Sequence, residues 1–123
     1  MQVTLEELLD RLDDRELVLL DVRGRREYEG VAGYPCDPRQ GHIPGAQHLD
    51  LQDLLGPEGS PQSPEELRAL VDAPEGATVV CYCHSGSRSG MAAAILRTAG
   101  YDASNYVGSW HEWSARPDLP DEP

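Results

Sequence analysis

The sequence predicts an α/β fold, a central parallel sheet with helices on both faces. Two short apolar runs, Leu17–Val22 and Ala77–Tyr82, have the length of strands and lack polar alternation, the pattern of strands buried on both sides. Between and after them lie segments with helix starts and helical apolar spacing. Helix and strand therefore alternate, with two full helix–strand crossovers, and such alternation builds parallel sheets.

The elements follow in order. Thr4-Leu5-Glu6-Glu7 reads as a capping box, and Leu5, Leu8, Leu9 and Leu12 share one helical face behind it. The strand at 17–22 comes next, then a short helix over 25–30 ended by Gly30. Residues 31–45 are rich in Gly, Pro and polar residues and read as a long irregular loop closing on the Ile43-Pro44-Gly45 turn. A short strand is expected over 46–49 and a brief helix capped by Asp50 through Leu55. A Pro/Gly/Ser-rich connection leads to Ser63-Pro64-Glu65-Glu66, which joins an N-cap serine to proline at the first helical position. That helix is expected to reach about Asp72. After the strand at 77–82, residues 91–99 are helical with Gly100 as the stop, 105–107 form a last short strand, and 108–115 form a helix or turn carrying Trp110 and Trp113. The domain is read as residues 1–116. The Pro- and Asp-rich tail, 117–123, is expected to fray.

Composition narrows the function. A chain of 123 residues is one domain, able to bury a core without disulfides or metal. No apolar run spans a bilayer, and Met1 leads into an acidic stretch without the pattern of a secretory signal. The formal net charge of −12 argues against nucleic acid or an anionic membrane as partner. A small anionic ligand is still allowed, since a pocket can be locally positive. Three cysteines, Cys36, Cys81 and Cys83, with no signal, predict reduced thiols in the cytoplasm.

The strongest chemical signal is Cys83-His84-Ser85-Gly86-Ser87-Arg88, set between a buried strand and a helix. Parallel sheets present ligands at the carboxyl ends of their strands. A tight loop there turns backbone N–H groups inward, and with the helix N-terminus these form an anion site. A thiol at its centre is stabilised as thiolate, which lowers its pKa. Gly86 permits a backbone angle that a Cβ resists, and Arg88 offers a planar fork of donors to an oxyanion. The loop therefore points to Cys83 as a nucleophile in an anion-binding cradle.

Taken together, these segments resemble the rhodanese, or sulfurtransferase, family. The resemblance runs through Leu19-Leu20-Asp21-Val22-Arg23, Glu27-Tyr28, Gly41-His42-Ile43-Pro44-Gly45-Ala46, the 83–88 loop with Ser89-Gly90, Gly100-Tyr101, Gly108-Ser109-Trp110 and Trp113. It implies a three-layer sandwich around a parallel sheet. It implies Cys83 and Arg88 as catalytic residues, with Cys83 carrying a persulfide, and His84, Ser85, Gly86, Ser87 and Ser89 as the substrate-binding loop. A small anionic sulfur donor such as thiosulfate and a thiol acceptor, small molecule or protein, are the implied partners, with cyanide as an assay acceptor and no cofactor. Relatives that hydrolyse phosphate or reduce arsenate carry one more residue between cysteine and arginine. Four residues separate Cys83 from Arg88 here, which favours sulfur over the wider tetrahedral phosphate. A carrier module loaded by a partner desulfurase is the alternative, with the same chemistry at Cys83. His84 stands where thiosulfate-selective relatives often have a cation, and Ser85-Gly86 resembles the loop of mercaptopyruvate-using relatives.

Other candidates have blander readings. Asp21 and Arg23 read as a supporting ion pair or hydrogen-bond network beside the loop, and His42 and Pro44 as loop-fixing residues. Trp110 and Trp113 are at core spacing. Cys81, two residues before Cys83, shares its side of the strand and reads as buried and inert. Cys36 lies in the long loop and reads as a bystander thiol, with a thiol that resolves the Cys83 persulfide as a disulfide as the alternative. His84 either binds substrate or faces solvent. No metal site is expected: Cys81, Cys83 and His84 cannot supply a closed tetrahedral shell, and His42, His48, His84 and His111 lack ligand spacing.

Overall fold

The structure, a computed structural model, describes residues 1–123. Eleven elements alternate along it. They are β1 (Gln2–Val3), α1 (Leu5–Arg11), β2 (Val18–Asp21), α2 (Arg25–Tyr28), β3 (Gln47–His48), a 3-10 turn (Leu51–Leu54), α3 (Pro64–Leu70), β4 (Thr78–Tyr82), α4 (Ser87–Arg97), β5 (Asp102–Tyr106) and α5 (Ser109–Ser114). The five strands form one sheet in the order β1-β5-β4-β2-β3, and every pairing is parallel. β4 sits at its centre, pairing Val79 with Val18 on one side and Cys81 with Asn105 on the other.

Two cores lie on opposite faces, as the pleat requires. Leu20 of β2, Val79 and Cys81 of β4 and Cys83 just beyond it join one core with Leu67 of α3 and Ala92, Ala93, Ile95 and Leu96 of α4. Their neighbours Leu19, Val80 and Tyr82 join the other core with Leu5 and Leu8 of α1 and Trp110 and Trp113 of α5. Both tryptophans are buried. This is a three-layer α/β sandwich.

The capping boxes form as their sequences predict. Thr4 Oγ1 accepts the Glu7 N–H while Thr4 N–H donates to Glu7 Oε1, and Ser63 and Glu66 repeat the exchange.

Several boundaries differ from expectation. The fourth helix starts at Ser87, not Met91, because the carbonyl of Gly86 already accepts the Gly90 N–H. The last strand starts at Asp102: Ala103 is buried in the core while Asp102 and Ser104 point elsewhere, an alternation hidden by the polar side chains. β1 is an added edge strand held by backbone pairing to β5, too short to carry a pattern. The brief helix expected after Asp50 forms over Leu51–Leu54 as a 3-10 helix, with the Asp50 side chain accepting the Gln52 N–H as its cap. The tail expected to fray makes specific contacts. Arg39 donates to the carbonyls of Trp113, Ser114, Arg116 and Leu119 and to Asp121. Trp113 Nε1 donates to the Pro120 carbonyl, and Glu122 pairs through its backbone with His42.

Candidate functional site

The site grows from the end of β4. Cys83 is the residue after the strand's last turn of pleat, and four residues later α4 begins, eleven residues long. Gly86 makes the turn with φ at +103°. A Cβ there would stand 2.8 Å from the Val107 carbonyl oxygen, so the position admits only glycine without displacement. In this conformation the Gly86 N–H points at Cys83 Sγ, 3.1 Å away.

Ser89, in the first turn of α4, places its hydroxyl 3.3 Å from the same sulfur. Burial pushes the Cys83 thiol up. The Ser89 hydroxyl and the N–H groups of Ser89, Gly86 and Ser85 outweigh burial and hold the thiol below its ordinary value. Ser89 has a single hydroxyl proton, however, and its oxygen also lies 2.6 Å from Asn105 Oδ1. When the sulfur is a thiolate, the proton serves it best by turning away from Asn105. Cys81, by contrast, has no such donors, and burial pushes it up to about 12. Two cysteines on one side of one strand thus differ in ionisation because only Cys83 meets the helix N-terminus.

Two residues anchor this loop from β5 and α5: Asn105, to which the sequence assigns no role, and Ser109, which it marks only as part of Gly108-Ser109-Trp110. Asn105 donates from Nδ2 to the Gly86 carbonyl. Ser109 accepts the Cys83 N–H at its hydroxyl oxygen (3.0 Å) and donates its proton to the Tyr106 carbonyl. Ser109 is the single non-glycine residue with positive φ, at 55°, a strained conformation held by those two bonds and by burial. The Trp110 and His111 N–H groups then reach the carbonyls of Cys83 and His84. A Gly-Ser-Trp after a short strand is the sequence signal for this anchor. The lone asparagine of the chain is the other.

Arg88 does not present a free fork. Nη1 and Nη2 bind the two carboxylate oxygens of Glu27 at 2.8 and 3.1 Å. Burial raises the Glu27 carboxyl, but the Arg88 bonds and charge prevail and hold it below its ordinary value. Arg88 is thus fixed against α2. Ser85 and Ser87 contribute through the loop backbone, and neither hydroxyl makes a hydrogen bond within the protein. Asp21 and Arg23 make a buried ion pair with Nη2–Oδ2 at 2.7 Å, and Arg23 also donates to the Gly41 carbonyl. They hold the long loop to the end of β2. His42 Nδ1 donates to the Tyr28 carbonyl, and its ring stacks on Tyr28.

His84 faces the long loop. Its ring stacks on Tyr34 with centroids 3.7 Å apart, and Nε2 lies 3.1 Å from the Asp37 carboxylate. Cys36 Sγ is 4.0 Å from His84 Nε2, which places this cysteine beside the 83–88 loop.

Comparison with known proteins gives the family. The family model described as "Rhodanese-like domain" matches residues 4–116. The chain is 40% identical over 107 residues to the sulfur carrier protein TtuD of Thermus thermophilus, a match covering 77% of this chain and 37% of that protein. It is 38% identical over 109 residues to a probable 3-mercaptopyruvate sulfurtransferase of Pseudomonas aeruginosa, covering 85% and 38% of the two chains. It is 30% identical over 120 residues to a thiosulfate sulfurtransferase of Azotobacter vinelandii, covering 94% and 43%. The chain therefore spans about two-fifths of the length of these relatives. Among solved structures, a probable thiosulfate sulfurtransferase superposes with a TM-score of 0.79 at 41% identity, covering 99% of this chain and 47% of that one. The family match over most of the chain, the parallel sheet and the cysteine loop after its central strand lead to one assignment: this chain belongs to the rhodanese-like domain family.

Proposed function

We propose that this protein transfers sulfane sulfur through a persulfide on Cys83. The observation that carries the reading is the Gly86 N–H at 3.1 Å from Cys83 Sγ, inside a six-residue Cys-to-Arg loop at a helix N-terminus. The Cys83 thiolate attacks the outer sulfur of thiosulfate. A Cys83 S–S bond forms, the donor's S–S bond breaks, and sulfite leaves with the electron pair. The loop N–H groups stabilise the negative terminal sulfur that results. An acceptor thiolate then attacks that sulfur and becomes the persulfide, returning Cys83 as thiolate. Cyanide accepts the same sulfur as thiocyanate.

Arg88 acts in this reading as a positioning residue that ties α4 to α2 through Glu27. The tight loop favours sulfur over phosphate or arsenate, whose tetrahedral oxygens need a wider ring of donors.

The test is the intact mass after exposure to thiosulfate. The expected result is a gain of one sulfur atom that cyanide removes and that Cys83→Ser lacks. Sulfur retained by Cys83→Ser would overturn it. One relative is named a sulfur carrier, which supports a second reading in which a partner desulfurase loads Cys83. Slow loading by thiosulfate with fast loading by a desulfurase would give that reading first place.

A further inference from the structure

The 31–45 loop brings Cys36 and Asp37 against two histidines from distant elements, His84 beside Cys83 and His111 in α5. One ligand atom from each of the four, a thiol sulfur, a carboxylate oxygen and two imidazole nitrogens, lies within 4.8 Å of every other. His111 Nδ1 is 2.8 Å from Asp37 Oδ1, and His84 Nε2 is 3.1 Å from the same oxygen. Cys36 Sγ is 3.9 Å from that oxygen and 4.0 Å from His84 Nε2. A tetrahedral ion with ordinary Zn–N, Zn–O and Zn–S bonds needs edges of about 3.3 to 3.8 Å, so on binding the two imidazole–carboxylate pairs open and the sulfur closes in, each by no more than about 1 Å.

We propose that Cys36, Asp37, His84 and His111 form a binding site for a borderline-soft divalent ion, Zn²⁺ in the first instance. Sulfur and imidazole donors select against Mg²⁺ and Ca²⁺, which require oxygen. Charge balances: a thiolate and a carboxylate neutralise the ion, and both imidazoles bind neutral. Binding releases the Cys36 thiol proton and moves the proton of each imidazole to its outer nitrogen. The Asp37 side chain is 1% exposed, so its carboxylate is already oriented by the fold, while Cys36 and His111 are exposed and give an ion a path in. An ion here would clip the long loop to both segments that hold Cys83: residue 84 next to it, and α5, whose Ser109 receives its N–H. The sequence hides the site because its ligands are separated by 47 and 74 positions from Asp37.

The test uses Co²⁺ as a spectroscopic probe, with Zn²⁺ displacing it, on the full chain and on Cys36→Ser, His111→Ala and Cys83→Ser, each checked for folding by circular dichroism. The expected result is one Co²⁺ per chain with the intense visible bands of tetrahedral geometry and a thiolate charge-transfer band. Equimolar Zn²⁺ abolishes both. Cys36→Ser loses the charge-transfer band, His111→Ala loses the tetrahedral bands, and Cys83→Ser keeps both. No binding at micromolar protein and metal overturns the proposal, as does a charge-transfer band that survives Cys36→Ser and disappears in Cys83→Ser.

Discussion

The guanidinium of Arg88 is gripped at two points by the carboxylate of Glu27, a residue 61 positions earlier in the chain. The pair joins the first turn of α4 to α2, so the helix that supplies the N–H groups around Cys83 is fixed by charge as well as by packing. Glu27 titrates below its ordinary value of 4.5 because the charged form is the one Arg88 binds. The sign follows from linkage. A depressed carboxylate stabilises the fold fully above its unfolded pKa, and the contribution is lost as pH falls through the folded value. Glu27→Gln should therefore cost about 1 kcal/mol at pH 7, a partly exposed pair being worth no more. Urea midpoints of the two proteins should converge by about pH 3. A gap of constant size from pH 7 to pH 3 would show that the charge of Glu27 contributes nothing.

Much of the fold was legible in the sequence because its signals are local. The capping boxes at Thr4 and Ser63 need only four residues each, and β2 and β4 announce themselves as apolar runs. The 83–88 loop was legible for the same reason. What was not legible depends on contacts between distant residues. The loop marks Arg88 as a donor to an anion, but nothing in the sequence says that Glu27, 61 positions earlier, is the carboxylate it binds. Asn105 lies in Asp102–Tyr106, whose polar side chains mask a strand held mainly by backbone pairing to both neighbours. Arg39 gives no sign in sequence that it organises the tail.

Ser89 shares one proton between Cys83 Sγ and Asn105 Oδ1. If the proton turns to the thiolate, Ser89→Ala removes a hydrogen bond to a charged group, about 1.5 kcal/mol, and slows loading by thiosulfate about tenfold. A time course of intact mass at fixed pH measures this. An unchanged rate would mean that the proton stays on Asn105 throughout.

Gly86 and Gly45 both have positive φ, at +103° and +85°, but their surroundings differ. A Cβ at Gly45 meets nothing within 4 Å, whereas at Gly86 it meets the Val107 carbonyl at 2.8 Å. Gly45→Ala should cost about 1 kcal/mol from backbone strain alone. Gly86→Ala should cost at least 1 kcal/mol more, and it should lose sulfur loading because the N–H facing Cys83 moves. Equal thermal shifts for the two variants would show that the Val107 contact yields without cost.

The three cysteines should separate by reactivity. Cys81 is fully buried with its thiol pushed up to about 12, Cys83 is held below its ordinary value, and Cys36 is exposed. Mass mapping after iodoacetamide treatment of the native protein at pH 8 should find label first on exposed Cys36, more slowly on Cys83, which is as buried as Cys81 but has its thiol held below its ordinary value, and none on Cys81. In denaturant all three should be labelled. Labelling of native Cys81 at the rate of Cys83 would mean that the strand opens as readily as the loop.

Arg39 is the last case, and it concerns the tail. Its guanidinium donates to four backbone carbonyls between Trp113 and Leu119 and lies 3.2 Å from Asp121. Those carbonyls sit at and beyond the end of α5; Trp113 and Arg116 also accept the N–H groups of Arg116 and Leu119, while Arg39 is the donor that serves Ser114 and Leu119. A cation is also favoured there by the helix dipole. Arg39→Ala leaves the carbonyls to water and frees Leu119, which is buried in the core that holds the tryptophans. The expected cost is about 2 kcal/mol, since hydrogen bonds to a charged donor are worth more than neutral ones but the site is partly exposed. Hydrogen exchange should quicken at residues 117–123 and at the C-terminal turn of α5, while β4 stays protected. Arg39→Lys should recover little, because a point charge cannot serve carbonyls spread across a planar fork. Full recovery by lysine would show that the dipole and the charge alone hold the tail.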